Sequence, residues 1–94
     1  MFGVIIEVRV DPDREDEARQ MVHDFVVPKA KALPGFRGGH WLRALEGDVI
    51  REVFTFDTED NARATAALVR SEGPPPGAPV TLDSVGAYEL IAQA

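Results

Sequence analysis

Two side chains in this sequence combine acid–base chemistry with an apolar neighbourhood: His40 and Glu52. An imidazole titrates close to neutrality and can serve as a base. Glu52 interrupts an apolar strand face made by Ile50, Phe54 and Phe56. A carboxylate flanked by aromatics has a raised pKa, which suits it to acid–base work. Each also has a plainer reading: His40 as a surface or interface histidine, and Glu52 as the partner of Arg43 or Arg9 at a sheet margin. Whether the two share a face depends on the register of one hairpin, because a slip of one residue turns a strand over. Opposing Leu45 to Val49 gathers His40, Leu42, Glu52 and Phe54 on one face. Opposing Leu45 to Asp48 sets Trp41 beside Glu52 instead.

Other candidates are less specific. Trp41, the only tryptophan, suits a core or dimer contact as well as a substrate platform. Tyr88 could donate a hydrogen bond to a phenolic ligand, or sit at a dimer interface. Arg43 and Arg51 could hold an acidic substrate, although mixed surface pairs explain them more simply. His23 lies between polar helix positions. No His-x-His or Glu-x-x-His spacing supports a metal, so no metal is expected. Arg37-Gly38-Gly39 is too short for a phosphate loop and leads into a strand. No nucleophile elbow is present.

The elements that must position these residues follow the order βαββαβ. Residues 3–10 alternate, with Val4, Ile6, Val8 and Val10 forming a continuous apolar face. Asp11-Pro12-Asp13 supplies a cap, a first-turn proline and negative charge for a helix start. Ala18, Met21, Val22, Phe25 and Val26 follow the spacing of one buried helical face. Pro28 conflicts with that helix and should kink or divide it, and Leu33-Pro34-Gly35 closes it. Strands are expected over 36–45 and 48–56 around a Glu46-Gly47-Asp48 turn, with a bulge or close approach at Gly38-Gly39. A second helix starts at Asp57 or Thr58, buries Ala62, Ala66 and Val69 with Leu68 beside them, and stops at Gly73. Glu72–Pro79 reads as a stiff connector. A last strand runs within residues 80–92, interrupted at Asp83-Ser84. The pattern is α+β, the split βαβ of ferredoxin-like domains, with a four-stranded antiparallel sheet. Two helices cover one face of such a sheet, and apolar residues on several strands call for cover on both, hence a homodimer.

With 94 residues the chain is one domain spanning 1–94, and its core is thin. Ten basic against sixteen acidic residues give a formal charge of −6, which argues against nucleic acid. Cysteine is absent, which excludes disulfides and thiolate metal sites. No stretch has the length of a membrane span, and the N-terminus does not read as a signal peptide, so no membrane and a cytoplasmic location are expected.

Several segments resemble the antibiotic-biosynthesis-monooxygenase-like (ABM-like) domains of the dimeric α/β-barrel superfamily. They are the opening VIIEVRVDPDREDEA, ALPGF before the second strand, FTFDTEDNA, and the terminal AYELIAQA. The resemblance implies a ferredoxin-like monomer pairing through its sheet, with a pocket on the sheet face beneath or beside the interface. It implies activities ranging from cofactor-free oxygenation of phenolic or quinone-forming substrates to haem degradation. The haem-degrading members share an Asn on strand 1, a Trp ending strand 3 and a His on helix 2. Here strand 1 offers Val4 and Ile6, strand 3 ends in Phe56, and helix 2 has no His, so haem is not expected. The polyketide oxygenases place an Asn four residues before that Trp, where this chain has Glu52. The resemblance also favours the register that brings His40 to Glu52.

The expectation is a small-molecule-binding protein which, if catalytic, is a cofactor-free monooxygenase for an aromatic or quinone-forming substrate. His40 and Glu52 are its acid–base candidates; Leu42, Phe54, Phe56 and Tyr88 its pocket residues; no cofactor is expected. The alternatives are a non-catalytic dimeric ligand-binding or interaction module, and an isomerase or lactone-forming enzyme that would not consume oxygen.

Overall fold

Alternation in the first strand decides which side of the sheet is dry. A computed structural model describes residues 1–94. In β1 (Phe2–Val10), Val4, Ile6, Val8 and Val10 are buried, and they face the helices. β1 is central. It pairs antiparallel with β3 (Val49–Phe56) on one side and β4 (Val80–Glu89) on the other, and β2 (Phe36–Arg43) pairs with β3 at the far edge. The helices α1 (Glu15–Met21), α2 (Val27–Lys31) and α3 (Glu59–Glu72) cover a single face. The result is the expected ferredoxin-like α+β order around a four-stranded antiparallel sheet. No helix is long and apolar enough to cross a membrane.

Local chemistry explains most boundaries. The Asp11 carboxylate accepts from the Asp13 N–H ahead of the 3₁₀ turn Pro12–Arg14. Thr58 caps α3 by accepting from the Asn61 N–H at 3.1 Å, and Gly73 ends it at φ 62°. Ala62, Thr65 and Ala66 are buried along α3, whereas Leu68 is partly exposed. The last strand is not interrupted at Asp83-Ser84 as expected: it runs unbroken and absorbs Asp83 as a bulge, its carboxylate held by Arg9 at 3.0 Å. Similarly, the register of β2 shifts between Phe36 and Gly38.

Pro28 divides the first helical layer, as its missing N–H requires. Between α1 and α2 lies a π turn, Val22–Val26, in which the Val27 N–H reaches back to the Val22 carbonyl. The wider turn relieves the proline ring of the carbonyl four residues earlier. It also rotates the face that follows. Phe25 was expected in the buried stripe, but it is 72% exposed.

The hairpin corrects a second expectation. β2 ends at Arg43 and β3 begins at Val49, so Leu45 belongs to the turn and is fully exposed. His40 stands opposite Val53, and Trp41 opposite Glu52. The register that would have joined His40 to Glu52 is not formed. The sheet face away from the helices carries Ile5, Leu42, Val53 and Tyr88, covered by no element of this chain.

Gly35 joins the two layers. It sits at φ 74°, and its carbonyl accepts from the Asp57 N–H at 3.1 Å. A Cβ there would lie 2.1 Å from Asp57 Oδ1 and 2.3 Å from Asn61 Nδ2, which are themselves bonded at 2.9 Å. Gly35→Ala is therefore expected to cost about 2 kcal/mol or more, from left-handed strain plus the clash. In urea unfolding, the midpoint should fall by about 1 M with an unchanged slope. An unmoved midpoint would refute this.

Candidate functional site

Between the covered sheet face and the helices lies a cavity of about 670 Å³. Its floor includes Ile6, Ile50, Glu52 and Phe54; Met21 and Val22 of the helical layer and Val69 of α3 contribute to its walls. The segment Pro74–Pro79 lines it as well. The large cavity opens on the helix side of the sheet. The cause is geometric. The first helical layer is split by the π turn and α3 is rich in alanine, so neither fills the space above Glu52.

Glu52 is the one carboxylate on this floor, and it is 8% exposed. Its Oε1 accepts from Trp41 Nε1–H at 2.7 Å. Its Oε2 makes no hydrogen bond within the protein, yet no buried side-chain oxygen lacks a partner, so Oε2 opens to the cavity. Burial pushes the Glu52 pKa above the ordinary glutamate value, and the Trp41 hydrogen bond offsets this only in part. No cation compensates. Arg43 pairs with Glu15 at 2.8 Å and Asp48 at 3.5 Å, Arg9 with Asp83, and Arg51 with Glu7 at 2.9 Å. The simpler reading of Glu52 as an arginine partner fails, whereas that reading of Arg43 and Arg51 as members of mixed pairs matches the structure.

Trp41 is held by its packing. Its ring lies 5.4 Å from that of Phe54, tilted 59°. Phe36 meets Phe54 edge-on at 5.6 Å. Gly39 makes this cluster possible, since a Cβ there would come within 2.9 Å of Phe54 Cδ1.

The sequence candidates separate into three groups. Glu52 and Phe54 line the cavity. Phe56 shares their face but is completely buried and packs edge-on to Phe36 at 6.0 Å. His40, Leu42 and Tyr88 belong to the opposite face. His40 instead lines a smaller cleft of about 350 Å³ at the β2 edge, together with His23 and Arg19. No cluster of three His, Cys, Asp or Glu side chains is placed to hold a metal. Sequence reasoning missed the cavity roles of Phe25 and the proline segment. The signals present were Pro28, which disrupts helical phase, and the run Gly73–Pro79, stiff enough to serve as a wall.

Solved structures share this architecture. MhuD of Mycobacterium tuberculosis, a heme-degrader solved with two hemes in its active site, has a TM-score of 0.76 at 18% identity, covering 100% of this chain and 99% of that one. A presumed antibiotic biosynthesis monooxygenase of Bordetella bronchiseptica has a TM-score of 0.66 at 18% identity over 97% of both chains. The fold is that of the ABM-like domains. A third ABM-like neighbour, the monooxygenase ActVA-Orf6 of Streptomyces coelicolor, solved with nanaomycin D, has a TM-score of 0.63 at 16% identity, covering 99% and 89%. No family model and no curated protein matches the sequence. At these identities the likeness carries the ABM-like fold and leaves the chemistry to the side chains.

Proposed function

We propose that the protein is a cofactor-independent monooxygenase of an aromatic, quinone-forming substrate, bound in the cavity above Glu52. The observation that supports this most is a buried carboxylate without a counter-ion, one oxygen held by Trp41 and the other facing a large apolar space. Such a carboxylate is a stronger base than a solvated one and waits in a site that favours a neutral, flat ligand. The neighbour complexes with hemes and with nanaomycin D support a small-molecule site on this fold.

Haem fits poorly. Histidine, cysteine and tyrosine, which hold haem iron in most sites, are all missing from the lining; Met21 is the only soft donor. The chemistry therefore rests on substrate, dioxygen and Glu52. Anthrone serves as the probe. Glu52 takes a proton from the methylene carbon, giving the phenolate-type anion. The anion passes one electron to dioxygen, and the resulting radical and superoxide join through a new C–O bond. The peroxide regains the proton from Glu52. The remaining hydrogen on that carbon then leaves as a proton while the O–O bond breaks, and hydroxide plus that proton become water. One anthrone and one dioxygen give one anthraquinone and one water. The apolar walls lower the polarity around the anion.

Pairing of two copies through the uncovered face, with Ile5, Leu42, Val53 and Tyr88, belongs to the same proposal. The exposure of Leu42 and Tyr88 on that face, which pairing would cover, supports it.

The test is oxygen uptake with anthrone, scored against quinone formed. The expected result is one dioxygen per quinone, catalysed above the rate in buffer. Tight binding of anthrone without uptake would overturn the enzyme and leave the binding module. Absence of binding would overturn the pocket itself.

A further inference from the structure

We propose that Phe25 sets the specificity of this pocket, closing against the flat face of a ligand with several fused rings. The inference rests on the cavity being a ligand site. It adds a residue that the acid–base chemistry does not require.

Phe25 borders the cavity yet is 72% exposed. A phenylalanine so placed leaves most of its ring in water, an unfavourable position unless something covers it. The cause is the π turn Val22–Val26, forced by Pro28, which rotates Phe25 off the buried stripe and out to the rim. π turns inside helices are frequent at functional sites. Here the turn gives up core packing and gains an aromatic ring at the mouth.

The wall made by Pro74–Pro79 is fixed. Arg14 donates to the carbonyls of Gly77 at 2.8 Å and Ala78 at 3.4 Å, and is itself anchored by an ion pair with Glu17. The Asp11 N–H holds the Pro79 carbonyl at 2.9 Å, and the Ala78 N–H closes a turn onto Pro75 at 3.1 Å. Three consecutive prolines add stiffness of their own. A rigid wall cannot adapt to a small ligand, which leaves adaptation to the side chains of the helical layer, the exposed ring of Phe25 among them.

Volume gives the ligand class. An apolar cavity of about 150 Å³ is enough for benzene, and this one is about 670 Å³. A single phenol would leave most of it unfilled. A tricyclic ligand can place its reacting carbon at Glu52 and still offer a ring face to Phe25, since aromatic pairs favour offset or edge contact at short centroid distances.

The test compares anthrone and phenol binding to wild type and Phe25→Ala. Quenching of Trp41 fluorescence is followed under nitrogen, where anthrone is not turned over. Trp41 is the only tryptophan and borders the floor through Glu52, so it reports on occupancy. Phe25→Ala should weaken anthrone binding about tenfold, the value of one lost aromatic contact, and leave phenol binding within about twofold. Its melting temperature should be unchanged, because the side chain supports no core. Equal anthrone affinity in the two proteins would overturn the role of Phe25 while leaving the pocket intact. Equal losses for phenol and anthrone would also overturn it, as would a fall in melting temperature that accounts for the loss. Failure of wild type to bind either compound would overturn the pocket, and this role with it.

Discussion

Glu52→Gln should reduce anthrone oxidation by at least about 100-fold, the lower range for loss of a positioned general base. The same change should make the protein more stable at neutral pH. Both effects have one cause. Burial without a cation raises the Glu52 pKa in the folded state above its unfolded value. The folded chain therefore holds its proton to higher pH than the unfolded chain does. Between the unfolded and the folded values the native state binds more protons, so stability falls as pH rises through that window. Below the unfolded value the contribution is fully present; above the folded value it is lost. Glutamine has no charge to desolvate, still accepts from Trp41, and should erase the decline. In a domain of this size each kcal/mol recovered appears as roughly 4–8 °C in melting temperature. Activity should run the opposite way, rising through the folded value as the carboxylate ionises. Melting curves and rates across acidic to mildly basic pH check both limbs. If the variant keeps wild-type turnover, Glu52 is not the base; if its stability profile matches wild type, the buried charge is not what the geometry indicates.

The fold was legible because its signals are local. The alternation of Val4, Ile6, Val8 and Val10, the Thr58 cap and the stop at Gly73 each act within a few residues, and each appears in the structure. Glu52 was legible for the same reason, as a single charge on an apolar strand face. Register was not. Leu45 looks like a strand residue by composition, but the turn takes it, and the bulge after Phe36 shifts the pairing again. That sends His40 to the far face, and with it the expected dyad. Phe25 was misplaced because helical periodicity assumes an unbroken 3.6-residue turn, which Pro28 prevents. The cavity itself arises from the gap between layers and has no local signature.

Phe56 is the sharpest separation of core from pocket. Its position, four residues after Glu52, fits a pocket residue by resemblance, yet its side chain is fully buried beneath Phe36 and lies opposite Phe2. Phe56→Ala is expected to cost about 3–5 kcal/mol, the range for emptying a buried aromatic site. A domain of this length has on the order of 5–14 kcal/mol in total, so the loss takes a large share of the stability. Melting should drop by roughly 15–30 °C. The protein that remains folded in the cold should bind anthrone much as wild type does, because the cavity floor at Glu52 and Phe54 is untouched. The reverse pattern, an unchanged melting temperature with lost affinity, would place Phe56 at the ligand. It would also mean that the aromatic cluster of Phe36, Phe54 and Trp41 is not the fixed frame on which Glu52 is held.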